Sequence, residues 1–267
     1  MSITGIEIET KPNPSAGPTT TDAFAWKIMK WVRKALQCHR LIAAALWAWT
    51  ALLAPARADD SLQQIVPEFN DYTKLSDRSR LYLLADVTKT KSENSTDGEL
   101  GAHLDLTLIP LLRPALREAD WERERYLWTR FGYVVLGPAG SGAAGITERR
   151  GIAELTGRLL LPQQVWLVNR VRVDLRDIDG EFSQRYRLRM GVEREFTVDG
   201  VVMVPYAQAE TLYDTRYLTW NRQLYQAGVE VELSKAWRVE SYLARQNDSH
   251  SASGNVDIFG LVFKHYH

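Results

Sequence analysis

The most chemically distinctive stretch of the sequence is EFSQRYRLRMGVEREF, residues 181–196, where arginines and glutamates recur at every second position. Apolar side chains occupy the alternate positions. The charged residues that follow this spacing are Arg185, Arg187, Arg189, Glu193 and Glu195. Guanidinium groups form planar, bidentate hydrogen bonds with carboxylates, and rings of arginine attract anionic solutes. The stretch therefore predicts either a network of ion pairs or the lining of a charged pore.

A second candidate chemistry comes from histidine and serine. His250 lies between Ser249 and Ser251 in the polar segment NDSHSASG, and further histidines are His103, His265 and His267. A Ser-His-acid set would predict a lipid hydrolase, but such a set requires a geometry that spacing alone does not provide. The sequence lacks a His-Glu-x-x-His motif, a glycine-rich phosphate loop and a cysteine pair. We therefore expect no enzyme activity, no cofactor and no metal site.

The elements that must position these residues are β-strands. Strict alternation over residues 181–196 places charged side chains on one face and apolar side chains on the other, which a helix would not do. Similar alternation recurs along the chain and predicts ten strands. Their ranges are 80–88, 99–109, 121–136, 146–161, 164–175, 181–196, 201–212, 220–233, 236–246 and 255–267.

The composition bounds the class of protein. The 267 residues are 45% hydrophobic and 25% charged, with a formal net charge of zero. This balance is typical of a folded chain and gives no electrostatic support for binding nucleic acid. The sequence contains one cysteine, Cys38.

The amino-terminal part indicates export. Residues 1–28 are rich in threonine, proline and glycine and are expected to be disordered or not translated. Residues 29–58 combine basic residues, the apolar run LIAAALWAWTALLA and Ala56-Arg57-Ala58, which predicts a signal peptide cleaved after Ala58. We expect residues 59–77 to form a periplasmic amino-terminal segment and residues 78–267 to form the barrel domain.

The alternating pattern alone does not say which face of the sheet is inside. A soluble barrel hides its apolar face, whereas a membrane barrel turns that face toward lipid. The strands are long, long and short connections largely alternate, and tyrosine and tryptophan gather near strand ends, all of which favour a membrane. We therefore predict an all-β, antiparallel up-and-down transmembrane β-barrel of about ten strands, with eight or twelve as alternatives, in a Gram-negative-type outer membrane.

Several segments resemble a known family. The segments WERERYLWTRFGYVV, RYRLRMGVERE, VPYAQAETLYD, WNRQLYQAGVEVELSKAWRVESYLARQND and IFGLVF are similar to those of the uncharacterised bacterial outer-membrane β-barrels called domain of unknown function 2490. The resemblance covers roughly Val66 to the end of the chain. It implies location and architecture, and it brings no known activity or catalytic residue.

If the apolar face meets lipid, the charged face fills the lumen, where we expect a charge network or pore lining. Its predicted members are Arg80, Asp105, Glu154, Arg158, Arg170, Arg172, Arg185, Arg187, Arg189, Glu193, Glu195, Arg222, Glu230 and Glu232. The predicted function is a structural barrel or a narrow, porin-like pore. The alternatives are a small anion-preferring channel, a soluble exported lipocalin-like binding barrel and a barrel-embedded lipid hydrolase. The expected partners are outer-membrane lipid and, through the carboxy-terminal strand, the barrel-assembly machinery.

Overall fold

The computed structural model describes residues 62–91, 95–110, 125–139, 147–250 and 254–267. The predictions for residues 1–28 and 29–58 fall outside these ranges. Within the described ranges no helix is both long and apolar enough to cross a membrane.

Strands account for almost all of the regular structure in the described ranges. The only other element there is a 3-10 turn at Pro162–Gln164. The strands are β1 (Leu62–Ser76), β2 (Ser79–Thr90), β3 (Ser95–Pro110), β4 (Arg125–Pro138), β5 (Glu148–Leu160), β6 (Val165–Ile178), β7 (Glu181–Arg194), β8 (Phe196–Val198), β9 (Val201–Asp214), β10 (Thr219–Glu232), β11 (Trp237–Asp248) and β12 (Asn255–Tyr266). Most are 12 to 16 residues long, well above the five or six residues of an ordinary strand.

The sheet closes on itself. Apart from β7 and β8, each strand pairs with the next along the chain, β9 pairs with both β7 and β10, and β12 pairs with β1. The short β8 continues β7 along the same edge of β9, so the described strands occupy eleven positions around a closed barrel. The predicted all-β barrel is confirmed, with a strand count between the expected ten and the alternative twelve.

The eleventh position comes from β1, which the sequence analysis placed in a separate periplasmic segment over residues 59–77. That prediction was wrong, because Leu62–Ser76 pairs with β2 on one side and β12 on the other. The strand β1 contains Pro67, which removes one donor from the ladder. Its effect is local: between Gln64 and Lys74 the pairing of β1 with β2 lacks only Val66 and Pro67, and the register is the same on both sides of them.

An odd number of positions changes how the barrel closes. Neighbouring strands alternate in direction around the barrel. With eleven positions, one pair of neighbouring strands must run in the same direction, and that pair is β1 and β12. The two strands run parallel from Leu62 opposite Val256 to Tyr72 opposite Tyr266. The chain therefore enters β1 at one rim and leaves β12 at the other.

The two faces of the wall differ sharply. Leu100 and Phe182 on the outer face are 67% and 68% exposed. Arg80, Asp105 and Asp174 on the inner face are 2%, 0% and 0% exposed. The apolar parity thus points outward and the charged parity points inward.

Candidate functional site

The centre of the charged interior is the carboxylate of Glu210 on β9, whose side chain is 1% exposed. Arg187 on β7 binds it with Nε at 2.6 Å and Nη2 at 3.0 Å. Arg189, two residues further along β7, binds it at 2.7 Å, and Arg170 on β6 binds it at 3.3 Å. One carboxylate therefore holds three guanidinium groups from two strands.

The arginines of β6 and β7 lie directly opposite one another in the ladder. Arg170 pairs with Arg189, and Arg172 pairs with Arg187. Like charges facing each other across strands destabilise a sheet, so this quartet requires carboxylates close by. Those carboxylates come from neighbouring positions on the same inner face. Asp174 lies 2.5 Å from Arg172 and 3.7 Å from Arg187, and Glu154 lies 3.5 Å from Arg170.

A second cluster surrounds Asp105 on β3. Its carboxylate lies 2.8 Å from Arg80 on β2 and 2.6 Å from Arg130 on β4. The two arginines also cover aromatic rings, with the Arg80 guanidinium 4.2 Å from the ring centroid of Tyr72 and that of Arg130 4.4 Å from the centroid of Tyr82. Cation–π contacts and ion pairs thus combine to fix these guanidinium groups.

The rings beneath these arginines form a stack across four strands. Tyr266 on β12 stacks on Tyr72 at 4.9 Å between centroids, Tyr72 on Tyr82 at 4.7 Å, and Tyr82 on His103 at 4.8 Å. Gly132 on β4 ends the row, because it pairs with His103 and a Cβ there would overlap the imidazole. The stack lies flat along the inner wall.

A third cluster lies at the rim where β9 ends. Asp214, which is 0% exposed, binds Arg176 at 2.8 Å and both Arg185 and Arg216 at 3.1 Å. Arg216 belongs to the turn after β9, outside the strands. Burial lowers the pKa of the Arg216 guanidinium, but its hydrogen bonds to Asp214 outweigh burial and raise that pKa above its ordinary value.

Carboxylates are concentrated on the opposite side of the barrel. Glu68 on β1 pairs with Asp86 on β2, which pairs with Glu99 on β3, so three inward acidic residues form a row. Further around the wall, Lys264 on β12 lies 2.6 Å from both Glu230 and Glu240. In an eleven-position barrel β2 lies about half a circumference from β7, so the acidic row faces the arginine quartet across the lumen.

Between these walls the lumen contains a cavity of about 460 Å³. Among the described residues, nine cationic and five acidic side chains line it. Asp174 and Glu210, which neutralise several of these arginines, are 0% and 1% exposed and do not line the cavity. The surface that faces the cavity is therefore richer in positive than in negative groups.

Other residues predicted for the lumen also form ion pairs. Arg158 on β5 pairs with Glu193 on β7, and Arg222 on β10 lies 2.5 Å from Asp248 at the end of β11. Arg238 lies 3.1 Å from Glu230 and 3.8 Å from Glu232.

Glu195 was predicted to belong to the lumen network. The structure shows it exposed and between β7 and β8, outside either strand. The ladder between β7 and β9 ends at Glu193 opposite Tyr206 and resumes at Phe196 opposite Met203. The interruption faces Pro205, which has no N–H to donate. The register is the same on both sides of the break, so Glu195 is exposed at an interruption of the ladder next to the turn at Asp199–Gly200.

Sequence reasoning missed the aromatic stack and part of the charge network. Tyr72 lies in the segment predicted to be periplasmic, residues 59–77, and Tyr266 lies in the last predicted strand, residues 255–267. Tyr82 and Lys264 did follow the inward parity of their strands, and that parity is the signal that could have found them.

Ser249 and His250, the candidate hydrolase pair, lie in the connection after β11. Ser249 Oγ is 3.0 Å from His250 Nδ1, and the His250 ring stacks on Tyr217. Asp248 accepts hydrogen bonds from the backbone N–H of His250 and from Arg222. These contacts leave Asp248 orienting the backbone of His250 and not its imidazole.

Comparison with known proteins adds little to these observations. Neither the protein-family models nor the curated proteins give a match to the chain. Among solved structures, the crystal structure of the β-domain of the Bordetella autotransporter BrkA is similar with a TM-score of 0.41 and 12% sequence identity. The similarity covers 71% of this chain and 83% of that one, and we base no functional argument on it. The resemblance to the domain of unknown function 2490 family stays a prediction.

Proposed function

We propose that this chain is an exported integral β-barrel of the outer membrane, with a structural or narrow-pore role. The observation that carries the proposal is the inverted polarity of the wall, with leucine, valine and aromatic side chains outside and arginine–carboxylate clusters inside. Complete burial of one such apolar side chain is worth about 1.5–3 kcal/mol. A lipid environment would supply that burial for the entire outer face.

The same polarity argues against a soluble lipocalin-like barrel. Such a barrel fills its centre with apolar side chains and presents charge to water. Here residues such as Leu100 and Met190 would stand in water, and Arg80 and Asp105 occupy the interior. Exposed apolar patches on soluble monomers rarely exceed a few hundred Å², and outward apolar residues occur on nearly every strand of this barrel.

The ion pairs support a lumen that restricts passage. Glu210 connects β9 to β6 and β7, and Asp105 connects β3 to β2 and β4. Breaking a buried pair of this kind by removing one partner costs about 3–5 kcal/mol. We propose that the network fixes the neighbouring strands and excludes solutes larger than small ions.

Export and assembly are part of the proposal. The leader over residues 29–58 would direct the chain across the inner membrane. The strand β12, which carries Phe259 and Phe263 on its outer face, would be recognised by the barrel-assembly machinery and would close the barrel against β1.

A small anion-preferring channel is the second candidate. The cavity-lining arginines of β6 and β7 favour it, because their carboxylate partners Asp174 and Glu210 are buried and do not line the cavity. A mobile anion would then meet guanidinium groups before it met the buried acids.

Location is tested by expressing the chain and separating cell fractions. We expect the protein in outer membranes, and we expect the folded form to migrate faster than the heated form on SDS gels. Recovery as a soluble periplasmic protein would contradict the proposal.

Pore function is tested by planar-bilayer recording of the purified protein. A narrow anion-preferring pore predicts single-channel steps and a reversal potential in a KCl gradient that shows Cl⁻ preference. Arg189→Gln should reduce that preference, since Arg189 lines the cavity and is 20% exposed. Arg149→Gln, on an exposed position of β5, serves as the matched control and should leave it unchanged. Absence of steps with a correctly folded barrel would support the structural role and exclude the channel.

A further inference from the structure

The seam between the first and last strands carries a polar cluster on the outer face of the barrel. Parallel pairing of β1 with β12 places Asp71 opposite His265, and His267 follows two residues later. Asp71 and His265 lie 194 positions apart in the sequence. Only closure of the barrel brings the three residues together.

The geometry of the cluster is compact. Asp71 Oδ1 lies 2.9 Å from His265 Nδ1 and 2.9 Å from His267 Nε2. A potential ligand atom from each of the three side chains lies within 4.8 Å of the others. The Asp71 side chain is 19% exposed, that of His265 22% and that of His267 52%, so the cluster is open to solvent on one side.

Neighbouring groups hold the cluster in place. The ring of His265 stacks on Trp237 with 4.4 Å between centroids and meets the ring of His267 edge-on at 4.1 Å. The backbone N–H of His267 donates to the carbonyl of Tyr72 at 2.9 Å, next to Asp71. These contacts fix the backbone of both strands at the ligand positions.

We propose that Asp71, His265 and His267 bind one divalent transition-metal ion of the zinc type. Two imidazole nitrogens and one carboxylate oxygen form a donor set that suits Zn²⁺, with a fourth position open to water. Zinc bonds to such ligands are about 2.0–2.2 Å long, which places tetrahedral ligand atoms about 3.3 Å apart. The 2.9 Å contacts to Asp71 therefore need to open by a few tenths of an ångström, and the two histidine nitrogens, which lie within 4.8 Å of each other, need to reach the same separation.

The bound ion would connect the two ends of the barrel wall. Parallel pairs are slightly less stable per residue than antiparallel ones, and the β1–β12 seam is the parallel pair in the described barrel. A metal held by Asp71 from β1 and by two histidines following the β12 ladder would hold this seam together. This role is independent of whether the lumen conducts.

The test uses protein purified without a histidine tag from the cell fraction in which it accumulates, and stripped of metal with a chelator. Calorimetric titration with ZnCl₂ should show one ion bound per chain. Cobalt substitution should give the visible absorption of a tetrahedral site. The midpoint of thermal unfolding should rise by roughly 5–10 °C at a hundredfold excess of zinc over the dissociation constant.

Amino-acid substitutions test whether Asp71, His265 and His267 bind the zinc ion and whether another histidine does not. His265→Ala, His267→Ala and Asp71→Asn should each weaken zinc binding at least tenfold and remove the cobalt spectrum. His250→Ala, in the connection after β11, is the matched control and should bind as the parent does. Gel migration of the unheated protein checks that each variant folds. Stoichiometric binding that survives His267→Ala and Asp71→Asn, or no binding by the folded parent, would overturn the proposal.

Discussion

The guanidinium of Arg187 lies 2.6 Å from the carboxylate of Glu210, and this contact joins β7 to β9 in the interior of the barrel. Arg170 and Arg189 share the same carboxylate. Glu210 is therefore the carboxylate that these three arginines share.

Replacement of that residue should be strongly destabilising. In Glu210→Gln three buried arginines lose their shared counter-charge, and we expect a loss of about 3–5 kcal/mol in the free energy of unfolding. Urea titration of the barrel in lipid vesicles, followed by tryptophan fluorescence, measures this difference. Glu181→Gln is the matched control, since Glu181 is exposed at the start of β7, and it should change the free energy by less than about 0.5 kcal/mol. Equal effects of the two variants would refute the importance of the Glu210 cluster.

A second prediction concerns the end of the aromatic stack. A Cβ at Gly132 would overlap the imidazole of His103, so Gly132→Ala should destabilise the barrel by about 1–3 kcal/mol through overpacking. The companion change His103→Ala should relieve the overlap, and the double variant should be more stable than Gly132→Ala alone. Gly137→Ala on the same strand has only an ordinary contact at 3.8 Å and serves as the control. Additive effects in this double-mutant cycle would show that the two residues do not interact.

A third prediction follows from the odd number of positions. The chain enters β1 at the rim opposite to the turn at Asp199–Gly200, because β1 and β12 run parallel. An epitope placed before Leu62 and one inserted in that turn should therefore lie on opposite sides of the membrane. Antibody labelling of intact and permeabilised cells distinguishes them, and only one of the two should be labelled in intact cells. Labelling of both epitopes under the same condition would indicate an even-stranded barrel.

The orientation of side chains could be predicted from the sequence because alternation is a local property of each strand. Alternation over residues 80–88 predicts Leu81, Leu83 and Val87 on one face and Arg80 and Asp86 on the other, and the structure places them so. The same argument identified most of the inward arginines.

Properties that depend on pairing across the chain could not be predicted in this way. The three-arginine contact of Glu210 depends on the register of β6, β7 and β9. The cluster of Asp71 with His265 depends on closure between strands at the two ends of the chain. The inclusion of β1 in the barrel likewise depends on its pairing with β2 and β12.

The central claim is that the outward residues face lipid and the inward residues face an aqueous or closed lumen. Single cysteines at Leu188, on the outer face of β7, and at Gln208, which lines the cavity on β9, provide positions for a nitroxide spin label. In reconstituted vesicles, collision rates with oxygen, which dissolves in lipid, and with a water-soluble nickel chelate report the surroundings of each label. The account predicts that the label at Leu188 collides mainly with oxygen and that the label at Gln208 is shielded from lipid. Preferential collision of the label at Leu188 with the nickel chelate, together with an oxygen-rich environment at Gln208, would contradict it.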